Sequence, residues 1–184
     1  MPVLTGELGH SLWFVPPSGD TRKRLDKTIL DLAKKYSSPL FVPHLTLAPD
    51  ISFSQVSSDR IVDFTRSIAS QIHPFTLEFK ALDGVPGRAN QCLYILFSLP
   101  SELKSAVDIT RTALRRDLNN PPFKPHMSLM YKESLGDKDR SRTIESIKDS
   151  LSGLTIQITG IQIWTNGESV ENWHQVGPEL QLAS

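Results

Sequence analysis

The sequence contains little that would point to an exported or membrane-bound protein. It has one cysteine, Cys92, among 184 residues, so no disulfide can form within the chain. No stretch reaches the roughly 18 apolar residues that a membrane-spanning helix needs. Residues 1–7 lack the basic and apolar regions of a signal peptide. We therefore expect an intracellular, soluble protein, most simply cytoplasmic, without a membrane partner.

Neither sign of charge is in excess. Lysine plus arginine and aspartate plus glutamate each number 20, so the formal net charge is zero and the sequence pI is about 7. Proteins that hold long nucleic acids usually present a net basic surface. The neutral balance therefore favours a small or short ligand, and we expect no stable nucleic-acid partner.

The order of predicted elements is repeated in the two halves of the chain. Each half reads as strand, helix, strand, helix and strand, because apolar residues recur first at strand spacing and then at helical spacing. Helices are expected at 20–36, 58–72, 101–118 and 139–151. Single strands are expected at 154–164 and 173–182, and a turn-rich segment at 83–90 links the halves.

This repetition predicts an α+β fold with a bilobal, pseudo-two-fold duplication. We expect residues 1–184 to form a single bilobal domain, with lobe one at about 1–85, lobe two at about 90–184 and possible exchange of strands between the lobes. Two antiparallel sheets are expected to face a central cleft, with helices outside. We expect a monomer.

One short motif occurs twice. Pro43-His44-Leu45-Thr46-Leu47 in the first half corresponds to Pro125-His126-Met127-Ser128-Leu129 in the second, at a spacing of 126 − 44 = 82 residues. Proline suits the first residue of a strand and excludes the middle of a helix. On a strand, the histidine and the hydroxyl two residues later point to one face, and the leucines and methionine point to the other.

Two histidines and two hydroxyls facing one cleft can act on a phosphate without a metal. One imidazole takes a proton from water while the other donates one to the leaving oxygen, and the hydroxyls donate hydrogen bonds to phosphate oxygens. Two histidines are too few for a metal site, and no cysteine or carboxylate lies at ligand spacing, so neither a metal nor a cofactor is expected. Trp13, on the first predicted strand, is consistent with either the cleft or the core.

With both motifs the chain resembles the 2H phosphoesterase superfamily, and within it the small eukaryotic cyclic phosphodiesterase branch of fungi and plants. The resemblance is carried by three stretches, residues 11–17, 43–47 and 125–131, and it spans nearly the whole chain. It implies two similar lobes around a water-filled cleft.

The resemblance also implies an activity and a set of site residues. The activity is metal-independent hydrolysis of ADP-ribose 1″,2″-cyclic phosphate and of nucleoside 2′,3′-cyclic phosphates to 2′-phosphates, a 2′,3′-cyclic-nucleotide 3′-phosphodiesterase type of reaction. By position, His44 and His126 are the acid and base, Thr46 and Ser128 hold the phosphate, and Tyr131 contacts the ligand. Trp13 is a second candidate for substrate binding. The near-symmetry of the motifs does not distinguish acid from base, and His126 as base is our working assignment.

Two other functions remain open. The same site could process RNA ends that carry a 2′,3′-cyclic phosphate, or the chain could be a non-catalytic nucleotide-binding module. The second is disfavoured because binding alone does not require two titratable groups. An acid–base pair of histidines predicts a bell-shaped dependence of rate on pH around neutrality.

Overall fold

A computed structural model describes residues 9–118, 121–133, 135–166 and 169–184 of the chain. Residues 1–7, in which no signal peptide is expected, lie outside the described residues. The strands and α-helices of the described part are β1 (Gly9–Phe14), α1 (Asp20–Tyr36), β2 (Leu45–Ser52), α2 (Ile61–Ala69), β3 (Phe75–Asp83), β4 (Leu93–Phe97), α3 (Ser101–Ala113), β5 (His126–Met130), α4 (Asp137–Leu151), β6 (Thr155–Ile158), β7 (Gly160–Asn166) and β8 (Leu180–Gln181). Short 3-10 helices lie at Ala89–Gln91 and Val170–Asn172.

The strands form one curled antiparallel sheet in the order β6-β3-β4-β5-β2-β1-β7-β8. Its two four-stranded halves meet where β2 pairs with β5, with Leu45 opposite Met127. The predicted α+β class with antiparallel strands is confirmed, and the two expected sheets are the two halves of this one sheet.

The halves of the sheet do not follow the halves of the chain. Strand β3, from the first half of the sequence, pairs with β4 and β6. Strand β7, from the second half, pairs with β1. The two central pairs are equivalent, because Trp13 of β1 lies opposite Thr46 and Tyr94 of β4 lies opposite Ser128. A pseudo-two-fold axis therefore passes between β2 and β5.

The helices cover one face of this sheet. Helix α1 buries a stripe at helical spacing, which is Leu25, Ile29, Leu32 and Ala33, as the sequence pattern predicts. It packs on β5 and contacts α4, whereas α3 packs on β2 and contacts α2. The first helix of each half of the chain, α1 or α3, therefore packs on the opposite half of the sheet, and these contacts hold the two halves together. Among the described residues, no helix has the length and apolar character needed to cross a membrane.

Several predicted boundaries were wrong, among them the helix predicted at 58–72, which spans only Ile61–Ala69. Helix α3 ends at Ala113, because the chain turns into the left-handed region at Arg115 (φ 54°), and Leu118 is 45 % exposed. The single strand predicted at 154–164 is two strands, since β6 pairs with β3 while β7 pairs with β1. The alternation of buried residues shifts by one position at Gly160, because Ile156 and Ile158 are buried before it and Ile161 and Ile163 after it.

The strand predicted at 173–182 is reduced to a short edge strand and one isolated bridge. Only β8, Leu180–Gln181, is a strand there, and Gln175 bridges to Trp164. The last described residues are instead held by backbone hydrogen bonds from Ala183 to the carbonyls of Ala69 and Ile72.

Replacing Leu45 with alanine tests the junction between the halves. Leu45 is fully buried where β2 meets β5, so Leu45→Ala is expected to lower the free energy of unfolding by about 2–5 kcal/mol. Urea denaturation measures the change. Leu40→Ala is the control, because Leu40 is 57 % exposed and its loss should change stability by at most about 0.5 kcal/mol. Equal losses in the two variants would contradict the role given to this junction.

Candidate active site

The register between β2 and β5 brings the two motifs together in a crossed arrangement. Because the strands are antiparallel and Leu45 lies opposite Met127, His44 is level with Ser128 and Thr46 is level with His126. Leu45 and Met127 are fully buried in the core on the helix side. The four polar residues lie on the other face, which we call the motif face.

Both histidines are held in the same way. The Nδ1 atom of His44 is 2.7 Å from the carbonyl oxygen of Val42, and that of His126 is 2.8 Å from the carbonyl oxygen of Lys124. A carbonyl can only accept, so Nδ1 carries the hydrogen in each ring. Each neutral imidazole therefore has its free lone pair on Nε2, the atom available for proton transfer.

His44 lies among aromatic rings. The indole of Trp13 is stacked on it, with centroids 3.5 Å apart and planes at 7°, and Trp173 and Phe41 approach with their edges at 6.2 and 6.4 Å. His44 is buried, and this burial lowers the pKa of its imidazole to about 4. The hydrogen bond to Val42 opposes that shift, and the charge of His126 adds to it.

His126 has polar neighbours instead. Tyr94, the counterpart of Trp13, approaches it with ring centroids 5.3 Å apart. The Tyr94 hydroxyl donates to Asp83 at 2.7 Å and accepts from Lys124, whose Nζ is also 3.4 Å from the Asp83 carboxylate. Burial lowers the pKa of His126, the carbonyl of Lys124 opposes this, and the Lys124 ammonium lowers it further. His126 remains partly exposed.

The two hydroxyls differ in their partners. Ser128 Oγ donates to the carbonyl oxygen of Asn90 at 2.5 Å, and the side-chain amide of Gln91 lies 3.4 Å from Nε2 of His126. In the first motif, the Thr46 hydroxyl and His44 Nε2 have no hydrogen-bond partner among the described residues. The segment before β4 thus makes hydrogen bonds to the second motif, whereas these two atoms of the first motif make none within the described residues.

The two predicted ligand contacts, Trp13 and Tyr131, lie beside the motif face with little exposed surface. Trp13 is 2 % exposed and also stacks on Trp164. Tyr131 is 5 % exposed and packs against Phe41 and Trp173, and burial raises the pKa of its phenol far above the usual value. Their direct contact with a substrate stays a prediction, whereas the stacking of Trp13 on His44 is observed in the structure.

Several neighbours of His126 were missed by sequence reasoning. Tyr94 had a signal, because it precedes its motif histidine by 126 − 94 = 32 residues and Trp13 precedes His44 by 44 − 13 = 31. Asp83 and Lys124 reach Tyr94 only through the pairing of three strands. Gln91 directly follows the turn-rich segment 83–90 and belongs to no pattern in the sequence. No group of three or more histidine, cysteine or acidic side chains that could hold a metal ion occurs within the described ranges.

Comparison with known proteins identifies the family. The model of the cyclic phosphodiesterase-like protein family matches residues 8–178, which is most of the chain. The chain belongs to this family of 2H phosphoesterases. The resemblance inferred from the paired motifs is therefore confirmed, and the protein is a cyclic phosphodiesterase of that family, a hydrolase.

Individual relatives are distant. A cyclic phosphodiesterase of Arabidopsis thaliana is 23 % identical over 175 residues, covering 91 % of this chain and 92 % of that protein. The structure of E. coli LigT complexed with 3′-AMP is 15 % identical, with a TM-score of 0.60 and coverage of 96 % and 99 %. The TT0787 protein of Thermus thermophilus has a TM-score of 0.62 at 12 % identity, with coverage of 94 % and 97 %. These two structures share the fold of this cyclic phosphodiesterase-like protein.

The buried His44 makes the stability of this cyclic phosphodiesterase-like protein depend on pH. Its pKa falls from an ordinary 6.5 to about 4 on folding, so between these values the unfolded chain binds the proton more strongly. The stabilisation is complete above 6.5 and is lost as the pH falls towards 4, amounting to about 3 kcal/mol at roughly 1.4 kcal/mol per pKa unit.

Urea denaturation of the wild type and of His44→Gln, which cannot titrate, at about pH 7 and about pH 4.5 measures this difference. The wild type should lose about 2–3 kcal/mol more than the variant on acidification. Parallel pH dependence in the two proteins would show that His44 is not buried in its neutral form.

Proposed function

We propose that the protein hydrolyses ADP-ribose 1″,2″-cyclic phosphate and nucleoside 2′,3′-cyclic phosphates, the latter to 2′-phosphates, without a metal ion. The observation that carries this proposal is the crossed arrangement of His44, Thr46, His126 and Ser128. It puts two Nε2 atoms and two hydroxyls on one face. That inventory meets the needs of phosphate ester hydrolysis, which are a base, an acid and donors to the phosphoryl oxygens.

The reaction on a 2′,3′-cyclic phosphate is balanced by these groups alone. A water oxygen bonds to phosphorus and the bond between phosphorus and O3′ breaks. One Nε2 takes the proton of the water, and the other, protonated, donates its proton to O3′. The hydroxyls of Thr46 and Ser128 donate to the non-bridging oxygens, where negative charge builds up. Exchange of protons with solvent then restores the two imidazoles.

The surroundings of the rings favour a division of roles. His44 is enclosed by aromatic rings and has a pKa of about 4, whereas His126 is partly exposed beside polar groups. When the two neutral imidazoles of the free protein share one added proton, His126 is therefore expected to bind it. We assign His126 as the acid and His44 as the base for 2′,3′-cyclic phosphates, the reverse of the working assignment made from the sequence.

Removing either histidine should abolish most of the activity, and removing metal ions should not. His44→Ala and His126→Ala are each expected to lower kcat by about 10²–10⁴-fold, since each removes one proton-transfer group. Excess EDTA should leave the wild-type rate unchanged. The assays use ADP-ribose 1″,2″-cyclic phosphate, a nucleoside 2′,3′-cyclic phosphate and an oligonucleotide with a 2′,3′-cyclic end, with phosphorus NMR to identify the remaining ester.

His73→Ala is the control, because His73 is exposed and lies outside both motifs. Loss of activity in EDTA would overturn the metal-free mechanism, and full activity in either motif variant would overturn the assignment of two histidines. Turnover of the oligonucleotide alone would favour the RNA-end function over the one proposed.

The dependence of kcat/KM on pH should be bell-shaped with its maximum on the acid side of neutrality. This parameter reports the free enzyme, in which the pKa of each histidine lies below 6.5. Activity should fall at low pH as His44 is protonated near 4, and at high pH as His126 loses its proton below 6.5. Initial rates at low substrate concentration across the range measure this. A flat profile, or a maximum above neutrality, would contradict the protonation states assigned here.

A further inference from the structure

The segment between β3 and β4 covers the reactive atoms of the second motif. It is closed on itself by a backbone hydrogen bond of 2.7 Å from Val85 to Gln91, and it is attached beyond β5 by one of 3.1 Å from Lys132 to Ala89. From this position the backbone carbonyl of Asn90 accepts a hydrogen bond from the Ser128 hydroxyl. The side-chain amide of Gln91 lies within hydrogen-bonding distance of Nε2 of His126. In the first motif no described residue makes a hydrogen bond to Nε2 of His44 or to the hydroxyl of Thr46.

The contact between Gln91 and His126 involves the atom that catalysis needs. In the neutral ring, Nδ1 of His126 donates to the carbonyl oxygen of Lys124, so Nε2 bears the lone pair and the Gln91 amide is the donor. An amide donor stabilises only the neutral ring and occupies the place of the water or leaving oxygen. An anionic phosphoryl oxygen is a stronger acceptor than a neutral imidazole nitrogen, since hydrogen bonds to charged acceptors are about twice as strong.

We propose that Gln91 is a further catalytic residue, whose amide moves from His126 to a phosphoryl oxygen of the bound cyclic phosphate. The move frees Nε2 of His126 for proton transfer and adds a third donor to Thr46 and Ser128. Ser128 makes the same exchange, giving up the carbonyl of Asn90 for the phosphate. This inference rests on the proposed function, because it assigns a donor to the same site.

The inference predicts three changes when the amide is removed. Gln91→Met keeps the length of the side chain and loses its donors, so kcat/KM and the affinity for inorganic phosphate should both fall by about 10–100-fold, the worth of one hydrogen bond to a charged group. In the free protein the pKa of His126 should rise, because a bond to its neutral form is lost. The other titratable groups facing His126, which are Lys124, Tyr94 with Asp83, and His44, are unchanged.

The measurements are steady-state kinetics, phosphate titration and NMR titration of His126. Gln71→Ala is the matched control, since Gln71 is exposed and its side-chain amide, within the described residues, donates only to the carbonyl oxygen of Ser67, so all three values should stay those of the wild type. Gln91→Glu is a second variant, which should weaken phosphate binding further and raise the pKa of His126, because a carboxylate repels the anion and favours the imidazolium. Thermal unfolding verifies that each variant is folded.

The outcomes separate this inference from the proposed function. Unchanged phosphate affinity in Gln91→Met would overturn the role of Gln91 even if cyclic phosphates are hydrolysed. Lost activity with an unchanged pKa of His126 would also overturn it, because the amide would then act only on the fold. If no cyclic phosphate is hydrolysed, the proposed function fails, whereas weaker phosphate binding together with a raised pKa of His126 would still support Gln91 as an anion donor.

Discussion

The register between β2 and β5 is the constraint on which the site depends. Leu45 opposite Met127 puts both apolar side chains into the helix-covered core and leaves His44, Thr46, His126 and Ser128 on the open face. A slip of one residue in either strand would turn its histidine into the core and its leucine or methionine towards solvent. The core therefore holds the candidate site together, because the packing that stabilises the sheet also selects the only register that pairs each histidine with the hydroxyl of the other motif.

The two halves repeat the scaffold and differ in what surrounds it. Each histidine donates from Nδ1 to the carbonyl two residues earlier, and each hydroxyl lies opposite an aromatic residue of the neighbouring strand, Trp13 or Tyr94. The surroundings then diverge, since His44 stacks on indole in a buried pocket whereas His126 lies beside a hydrogen-bonded network of tyrosine, aspartate and lysine. Identical imidazoles thereby acquire different proton affinities, which is how a near-symmetric fold can contain distinct acid and base groups.

The parts of this protein that could be predicted from the sequence are those specified by local patterns. The stripe of helix α1 and the strand character of both motifs follow from spacing and from proline. The partner strands of β6 and β7 could not be predicted, because they lie far away in the chain. Gln91 was missed for the same reason, since its contact with His126 joins residues 35 apart through the pairing of β4 with β5.

The sequence by itself determined the inventory of the motif face: two histidines, two hydroxyls, their alternation with apolar residues, and through the repeated motif the family of the chain. Only the tertiary structure decided which histidine faces which hydroxyl, what surrounds each ring and which segment covers the second motif. The reason is physical. Side-chain identity and strand alternation are properties of neighbours along the chain, whereas burial, proton affinity and hydrogen-bond partners arise from groups that folding brings together across the sheet.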